Sequence, residues 1–174
     1  VLDVPSDGYL DFYIWPKYAE KGYLWMIPKS DGRANIGLVT ENKKGAVKAL
    51  DQFIEDGEFK GLEMINPPWR KEGLKLRGFG GTIPISGPHE VTHFDGIMLV
   101  GDAAGFTSPL FEGGSHLALK SAAFAAQTAA EAIAVGDVSA AKLAIYAHRW
   151  RTEFPPYEKI LKGKTALYSL SDSD

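Results

Sequence analysis

Residues 9–15, Tyr-Leu-Asp-Phe-Tyr-Ile-Trp, alternate with a period of two: Leu10, Phe12 and Ile14 on one side, Tyr9, Asp11, Tyr13 and Trp15 on the other. Successive side chains of a pleated backbone leave opposite faces, so the spacing predicts a strand. A loop with Pro16 and Gly22 leads to Tyr23–Ile27, apolar on both faces, and the turn signal Asp31-Gly32 leads to a third strand over 34–40. Together they predict an antiparallel meander. If odd positions pair with odd, Tyr9, Tyr13, Trp15, Tyr23, Trp25 and Ile27 form one aromatic wall, with Leu10, Phe12, Ile14, Leu24 and Met26 opposite. A slip of one residue would dismantle that wall. The period then changes. Val47, Leu50, Phe53 and Ile54 make a helical stripe over 44–56, stopped by Gly57, and predict a helix that covers one face of the meander. The other face needs a second cover, either protein or ligand.

Beyond Asn66-Pro67-Pro68 the pattern predicts a strand near 74–77 and, after irregular glycine-rich backbone, a short strand over 82–86. Gly78-Phe79-Gly80-Gly81 is not a dinucleotide loop: its third glycine would fall at Ile83, and Pro84 lies where the helix should propagate. The continuous apolar run Ile97–Val100 reads as a strand covered on both faces, as in parallel sheets. Helices are predicted over 115–135, ended by Gly136, over 139–153, ended before Pro155-Pro156, and over 157–169.

A length of 174 residues allows one domain or parts of two. The net charge of -3, without a basic run, gives no reason to expect nucleic acid. With no cysteine there is no disulfide, thiol catalysis or iron–sulfur ligation. The four histidines are scattered; His89-x-x-x-His93 lies in a Gly-Pro-flanked loop, and no metal site is assigned. No apolar run reaches the roughly eighteen residues of a membrane span, and no signal peptide is seen. The chain opens at Val1 in the run-up to a strand, as a piece cut from a longer protein would.

The chemistry concentrates in "LVGDAAGFTSPLFEGGSHLALKSA", residues 99–122. A strand ending at Gly101 brings the Asp102 carboxylate to the sheet edge where α/β folds bind ligands. Gly101 and Gly105 let a ligand lie against backbone. The helix start at Gly114 and Ser115 offers unpaired amides and a dipole that favour an electron-rich group. These pieces fit an extended ligand with a polyhydroxyl chain and an electron-rich ring. On the residues alone, a second reading stays open: Asp102 caps a short turn and the glycines only shape a connection.

Gly101-Asp102-Ala103-Ala104-Gly105, then Pro109, then Gly113-Gly114 before a helix, resembles the second flavin motif of FAD-dependent oxidoreductases of the p-hydroxybenzoate hydroxylase-like group. Tyr23-x-Trp25-x-Ile27-Pro28, followed by Asn35-Ile36-Gly37, is similar to the Y-x-W-x-F-P motif of prenyl reductases, and residues 80–88, "GGTIPISGP", resemble their segment before the last flavin-domain strand. In this order the motifs look most like the geranylgeranyl reductases and the neighbouring electron-transfer-flavoprotein:quinone oxidoreductase-like proteins. The resemblance covers roughly the first 135 residues. It implies that Gly101, Asp102, Gly105, Pro109, Gly113 and Gly114 bind FAD, with Asp102 on the ribityl chain. It also implies that Tyr23, Trp25, Ile27 and Pro28, together with Tyr13 and Trp15 of the aromatic wall, line a cavity for a hydrophobic substrate such as an isoprenoid lipid. The family's amino-terminal G-x-G-x-x-G is missing here, Ile27 replaces the motif's Phe, and Glu112 reads as a rim carboxylate.

The expectation is an α+β chain, a fragment of α/β. An antiparallel substrate-domain sheet with its covering helix occupies 1–77, the last strand and helix of an incomplete FAD-binding Rossmann-like domain 78–136, and terminal helices 137–174. The implied function is FAD-dependent reduction of isoprenoid carbon–carbon double bonds in a lipid. The alternatives are flavoprotein:quinone electron transfer, an aromatic monooxygenase, and a non-enzymatic hydrophobic-ligand or interaction module. No catalytic residue is assigned. The partners expected are a lipid substrate, the missing amino-terminal half and an electron-donor protein, in the cytoplasm with peripheral membrane contact. The fragment alone is expected to hold FAD weakly, if at all.

Overall fold

A computed structural model of the chain describes residues 8–30, 34–56 and 80–169. Two compact units emerge, Val1–Gly80 with Ala166–Asp174, and Gly81–Thr165. Among the described residues the architecture is α+β, with two small antiparallel sheets and four α-helices. The expected strand near 74–77 and the stop at Gly57 lie outside the described residues.

The first unit is the predicted meander: β1 Asp11–Tyr13, β2 Tyr23–Pro28 and β3 Ala34–Val39, in that order across the sheet. Helix α1, Ala46–Asp56, packs on it. The register differs from the expected one. Asp11 pairs with Met26, Phe12 with Trp25 and Tyr13 with Leu24, so odd positions face even ones. Tyr13 therefore shares the core face with Leu24 and Met26, both fully buried, and with Ile36 and Leu38 of β3. Tyr13 stacks on Trp15 at 5.2 Å, and both rings lie 6.0 Å from Phe53 of α1. The aromatic wall is corrected accordingly. Tyr13 and Trp15 leave it, and Phe12 joins Tyr23, at 5.3 Å between ring centroids, beside Trp25. The physical reason is the buried Phe53: two rings packed on it lose more water-exposed area than they would on the outer face. The connection also winds through a tight turn, Tyr18 and Ala19 N–H both donating to Trp15 O, which fixes where β2 begins. Leu50, Phe53 and Ile54 of the predicted stripe pack inward, whereas Val47 is 76% exposed.

Trp25 lies flat over its cross-strand partner Gly37, where a Cβ would come within 2.2 Å of the indole. Its N–H donates to Asn35 Oδ1 at 2.8 Å. The ring thus needs a partner with no side chain.

In the second unit β4, His93–Phe94, and β5, Ile97–Met98, form a hairpin around Asp95-Gly96. Of the expected strand over 97–100, Ile97 and Met98 pair among the described residues, antiparallel with β4, and Ile97 is 55% exposed. Such a strand needs neighbours on each side, and among the described residues β5 has β4 alone. Residues 82–86 likewise form no ladder. Three helices follow, α2 Ser115–Ala134, α3 Ala140–Glu153 and α4 Tyr157–Leu167, close to the predicted spans. Ser139 caps α3 by accepting from Lys142 N–H. The core of this unit joins Ala104 and Phe106 to Tyr146, Ala147 and Trp150 of α3. Two buried polar groups of this core are paired: Trp150 Nε1 donates to Thr92 Oγ1 at 3.0 Å, and the Tyr146 hydroxyl to Leu99 O. No helix among the described residues is long and apolar enough to cross a membrane.

Two outcomes follow from this packing. Gly37→Val must expel the Trp25 indole, so tryptophan emission should red-shift and the first unit should lose roughly 1–3 kcal/mol in urea unfolding. Burial pushes the Tyr146 phenol up to about 12, from 10.0. The native chain then keeps this proton where the unfolded chain has lost it, so stability present below pH 10 falls as pH rises towards 12. Tyr146→Phe should flatten that alkaline decline when urea midpoints are compared across the same interval.

Candidate functional site

Residues Gly101–Ala104 make one turn of 3-10 helix, closed by Gly105 in the left-handed region at φ 75°. The Gly105 N–H donates to Asp102 O at 2.9 Å and the Phe106 N–H to Gly101 O at 3.1 Å. Phe106 then turns inward, 1% exposed, with its ring 4.9 Å from Trp150 and 5.0 Å from Phe154. Two ties hold the turn in place. The Gly101 N–H donates to the buried Ser121 Oγ of α2 at 3.0 Å, and Ala104 O accepts from His89 N–H at 3.0 Å. Gly105 answers two demands at once: its φ is positive, and a Cβ there would meet Gly87 O at 2.3 Å.

With the turn anchored, Asp102 projects outward. Its Oδ1 accepts from Thr107 Oγ1 at 3.3 Å and reaches the start of α2, lying 2.7 Å from where a Cβ on Gly114 would stand. Gly114 is the N-cap of α2 and makes no side-chain cap bond, and the first turn holds no acidic residue. The opening amides of this helix therefore have no intrahelical acceptor. Ser108 N–H to Gly113 O, at 3.1 Å, closes the loop between turn and helix. Gly113 is exposed, with nothing within 4 Å of a would-be Cβ. A carboxylate acceptor, uncapped helical amides and an open strip of backbone thus stand side by side. Chemically, such a site can accept hydrogen bonds from hydroxyls and donate them to an electron-rich group.

The tertiary fold brings Gly101, Asp102, Gly105, Pro109, Gly113 and Gly114 into this one turn–loop–helix unit. Tyr23, Trp25 and Ile27 share one face of β2, while Pro28 alternates to the other, opposite Ala34. Tyr13 and Trp15, as described, pack against Phe53 instead. His89 and His93 join no group of metal-ligating side chains among the described residues.

Glu112 is a correction. It was expected at the rim, but its side chain is 2% exposed and its Oε1 accepts from Lys164 Nζ of α4 at 2.8 Å. The backbone at Glu112 is left-handed, φ 47°. Lys164, 7% exposed, is the residue sequence reasoning missed. A lone acid in an apolar loop signals the need for a cation, but nothing in the spacing of α4 distinguishes Lys164 from Lys159 or Lys162. Tyr157 stands in the same surroundings: burial, and then the negative charge of Glu112, raise its phenol above the usual tyrosine range. Beside the loop lies a cavity of about 270 Å³, lined largely by Phe106, Pro109, Leu117, Phe154, Tyr157 and Ile160, with His116 at its polar edge. An open groove of about 540 Å³ in the first unit, lined by Lys17, Lys48 and Gln52 among others, contains none of the expected site residues.

Comparison with known proteins bears on this geometry. Residues 2–66 match the geranylgeranyl reductase catalytic domain. Over 170 residues the chain is 38% identical to digeranylgeranylglycerophospholipid reductase 2 of Methanothermobacter thermautotrophicus, covering 95% of this chain and 40% of that protein. Nearly its whole length is thus similar to part of a reductase of this kind. Digeranylgeranylglycerophospholipid reductase of Methanocaldococcus jannaschii is 36% identical over 175 residues, 99% of this chain and 43% of that protein. A solved geranylgeranyl bacteriochlorophyll reductase-like structure from Thermoplasma acidophilum matches 99% of this chain and 42% of its own, with a TM-score of 0.76 and 30% identity. The chain spans about 40% of the length of the curated relatives it matches.

The two glycines differ in what they tolerate. Gly105→Ala meets fixed backbone and a disfavoured φ, and should destabilise the second unit by roughly 1–3 kcal/mol. Gly114→Ala meets only the end of an exposed carboxylate, and should cost less than about 1 kcal/mol. Urea unfolding of both variants checks the order.

Proposed function

We propose that this chain carries the ribityl- and ring-binding part of a flavin-dependent enzyme that reduces isoprenoid double bonds of a lipid. The observation that carries this reading is Asp102 held against the uncapped start of α2. The residues present suit FAD. Asp102 offers its carboxylate to a row of hydroxyls, and the amides at Gly113, Gly114 and Ser115 suit the electron-rich edge of a ring beside the open backbone of Gly113. Gly101 and Gly105 keep the turn tight enough to present Asp102, and Pro109 packs in the loop wall. When bound, FAD supplies the hydride chemistry needed to saturate a polarised carbon–carbon double bond.

The names of the relatives support the substrate class: lipids carrying geranylgeranyl chains. In this reading Trp25 and Ile27 present an apolar face to such a chain, with Phe12 beside them in place of Tyr13 and Trp15, while Tyr23, itself buried, supports them from within. Large flat side chains bury much area with few lost rotamers and exclude water from a reacting double bond. A donor of electrons and contact with a membrane surface follow from the same chemistry, since the reductant must be renewed and the substrate resides in a bilayer.

The test is the visible spectrum of the protein as its gene encodes it. The expected result is a flavin spectrum, with FAD affinity weakened about tenfold or more by Asp102→Ala, the loss of one charge-assisted hydrogen bond. After chemical reduction, reoxidation by a digeranylgeranylglycerophospholipid supports the reductase. Reoxidation by quinone alone would transfer the reading to electron transfer. A folded but colourless protein would remove flavin altogether and leave a hydrophobic-ligand module.

A further inference from the structure

The loop that presents Gly113 and Gly114 contains a buried charge that the candidate site does not use. The Glu112 and Lys164 side chains are 2% and 7% exposed, joined at 2.8 Å. A buried ion pair is a poor source of net stability, because desolvating both groups offsets most of their attraction. Its effect here is geometric.

Glu112 occupies the left-handed region at φ 47°, which an L side chain adopts only where its surroundings hold it. The residues that follow are Gly113 and Gly114, the latter the N-cap of α2. Two consecutive glycines resist reorientation weakly, so the direction of their amides depends on what pins the residue before them. Lys164 reaches that residue from α4, on chain 52 positions away. Tyr157, also on α4, feels the charge of Glu112 and lines the cavity beside Gly113. The same helix therefore fixes the loop from behind and forms the cavity wall in front of it.

We propose that Lys164, acting through Glu112, is the positioning residue of this loop: the ion pair holds the left-handed turn at Glu112 and thereby aims the Gly113 and Gly114 amides. The identity of the ligand they meet rests on the flavin reading; the ordering of the loop does not.

Hydrogen exchange of the whole chain tests the ordering, using Lys164→Met, Lys164→Arg and the neutral pair Glu112→Gln/Lys164→Met. The Ser108 amide, which donates to Gly113 O across the loop, should exchange about tenfold faster in Lys164→Met and in the neutral pair, and stay near wild type in Lys164→Arg. In the neutral pair the amides of α3 should keep their protection, since no bare charge remains to destabilise the unit. Unchanged protection of the Ser108 amide in the neutral pair overturns the proposal. So does a loss shared equally with α3, which marks a purely structural role. FAD titration of the gene-encoded protein is the second readout: affinity should fall about tenfold with Lys164→Met and return with Lys164→Arg. If the loop loosens as expected and the wild type binds no FAD, the positioning role is upheld and the flavin reading falls.

Discussion

A carboxylate can sit against the first turn of a helix only if the helix begins without a Cβ in its way. Asp102 and Gly114 meet that condition, with 2.7 Å between the carboxylate oxygen and the position a Cβ would take. Much else in the second unit serves this approach. Gly105 bends the chain so that the turn can end and Phe106 can drop into the core. Ser121 on α2 takes the Gly101 amide and sets the distance between turn and helix. The Phe106–Trp150–Phe154 aromatic group keeps the turn seated from below. The site is a surface arrangement resting on a well-packed support, as positional precision requires.

The first unit solves a different problem, a sheet with two faces to cover. Helix α1 covers one through Phe53 and Ile54, and Tyr13 and Trp15 complete that layer. The other carries Phe12, Tyr23, Trp25 and Ile27, with the Trp25 ring made possible by Gly37. Tyr13 and Trp15 bury area against Phe53, whereas Phe12 stays half exposed on the other face.

The buried Glu112–Lys164 pair belongs to neither packing problem. It ties a loop with two adjacent glycines to a helix far along the chain, and a charge pair suits this because its hydrogen bond has a direction. Apolar contact could have held α4 to the loop as firmly, without choosing the left-handed turn at Glu112.

Local pattern determined the meander, the covering helix and the three later helices, since each needs only a period, a cap and a stop within a few residues. It also marked the glycine–aspartate turn and the helix start as neighbours, because the short loop between them leaves little freedom. Tertiary structure decided the rest. Tyr13 and Trp15 pack on Phe53, some forty residues away in sequence, a contact that the period of the strand does not contain. Of the strand expected over 97–100, only Ile97 and Met98 pair among the described residues, because period cannot say which neighbours a strand will find. The burial of Glu112 depended on a cation 52 positions later. A sequence carries charge and spacing along one dimension, whereas desolvation depends on which distant chain segment arrives to close the space.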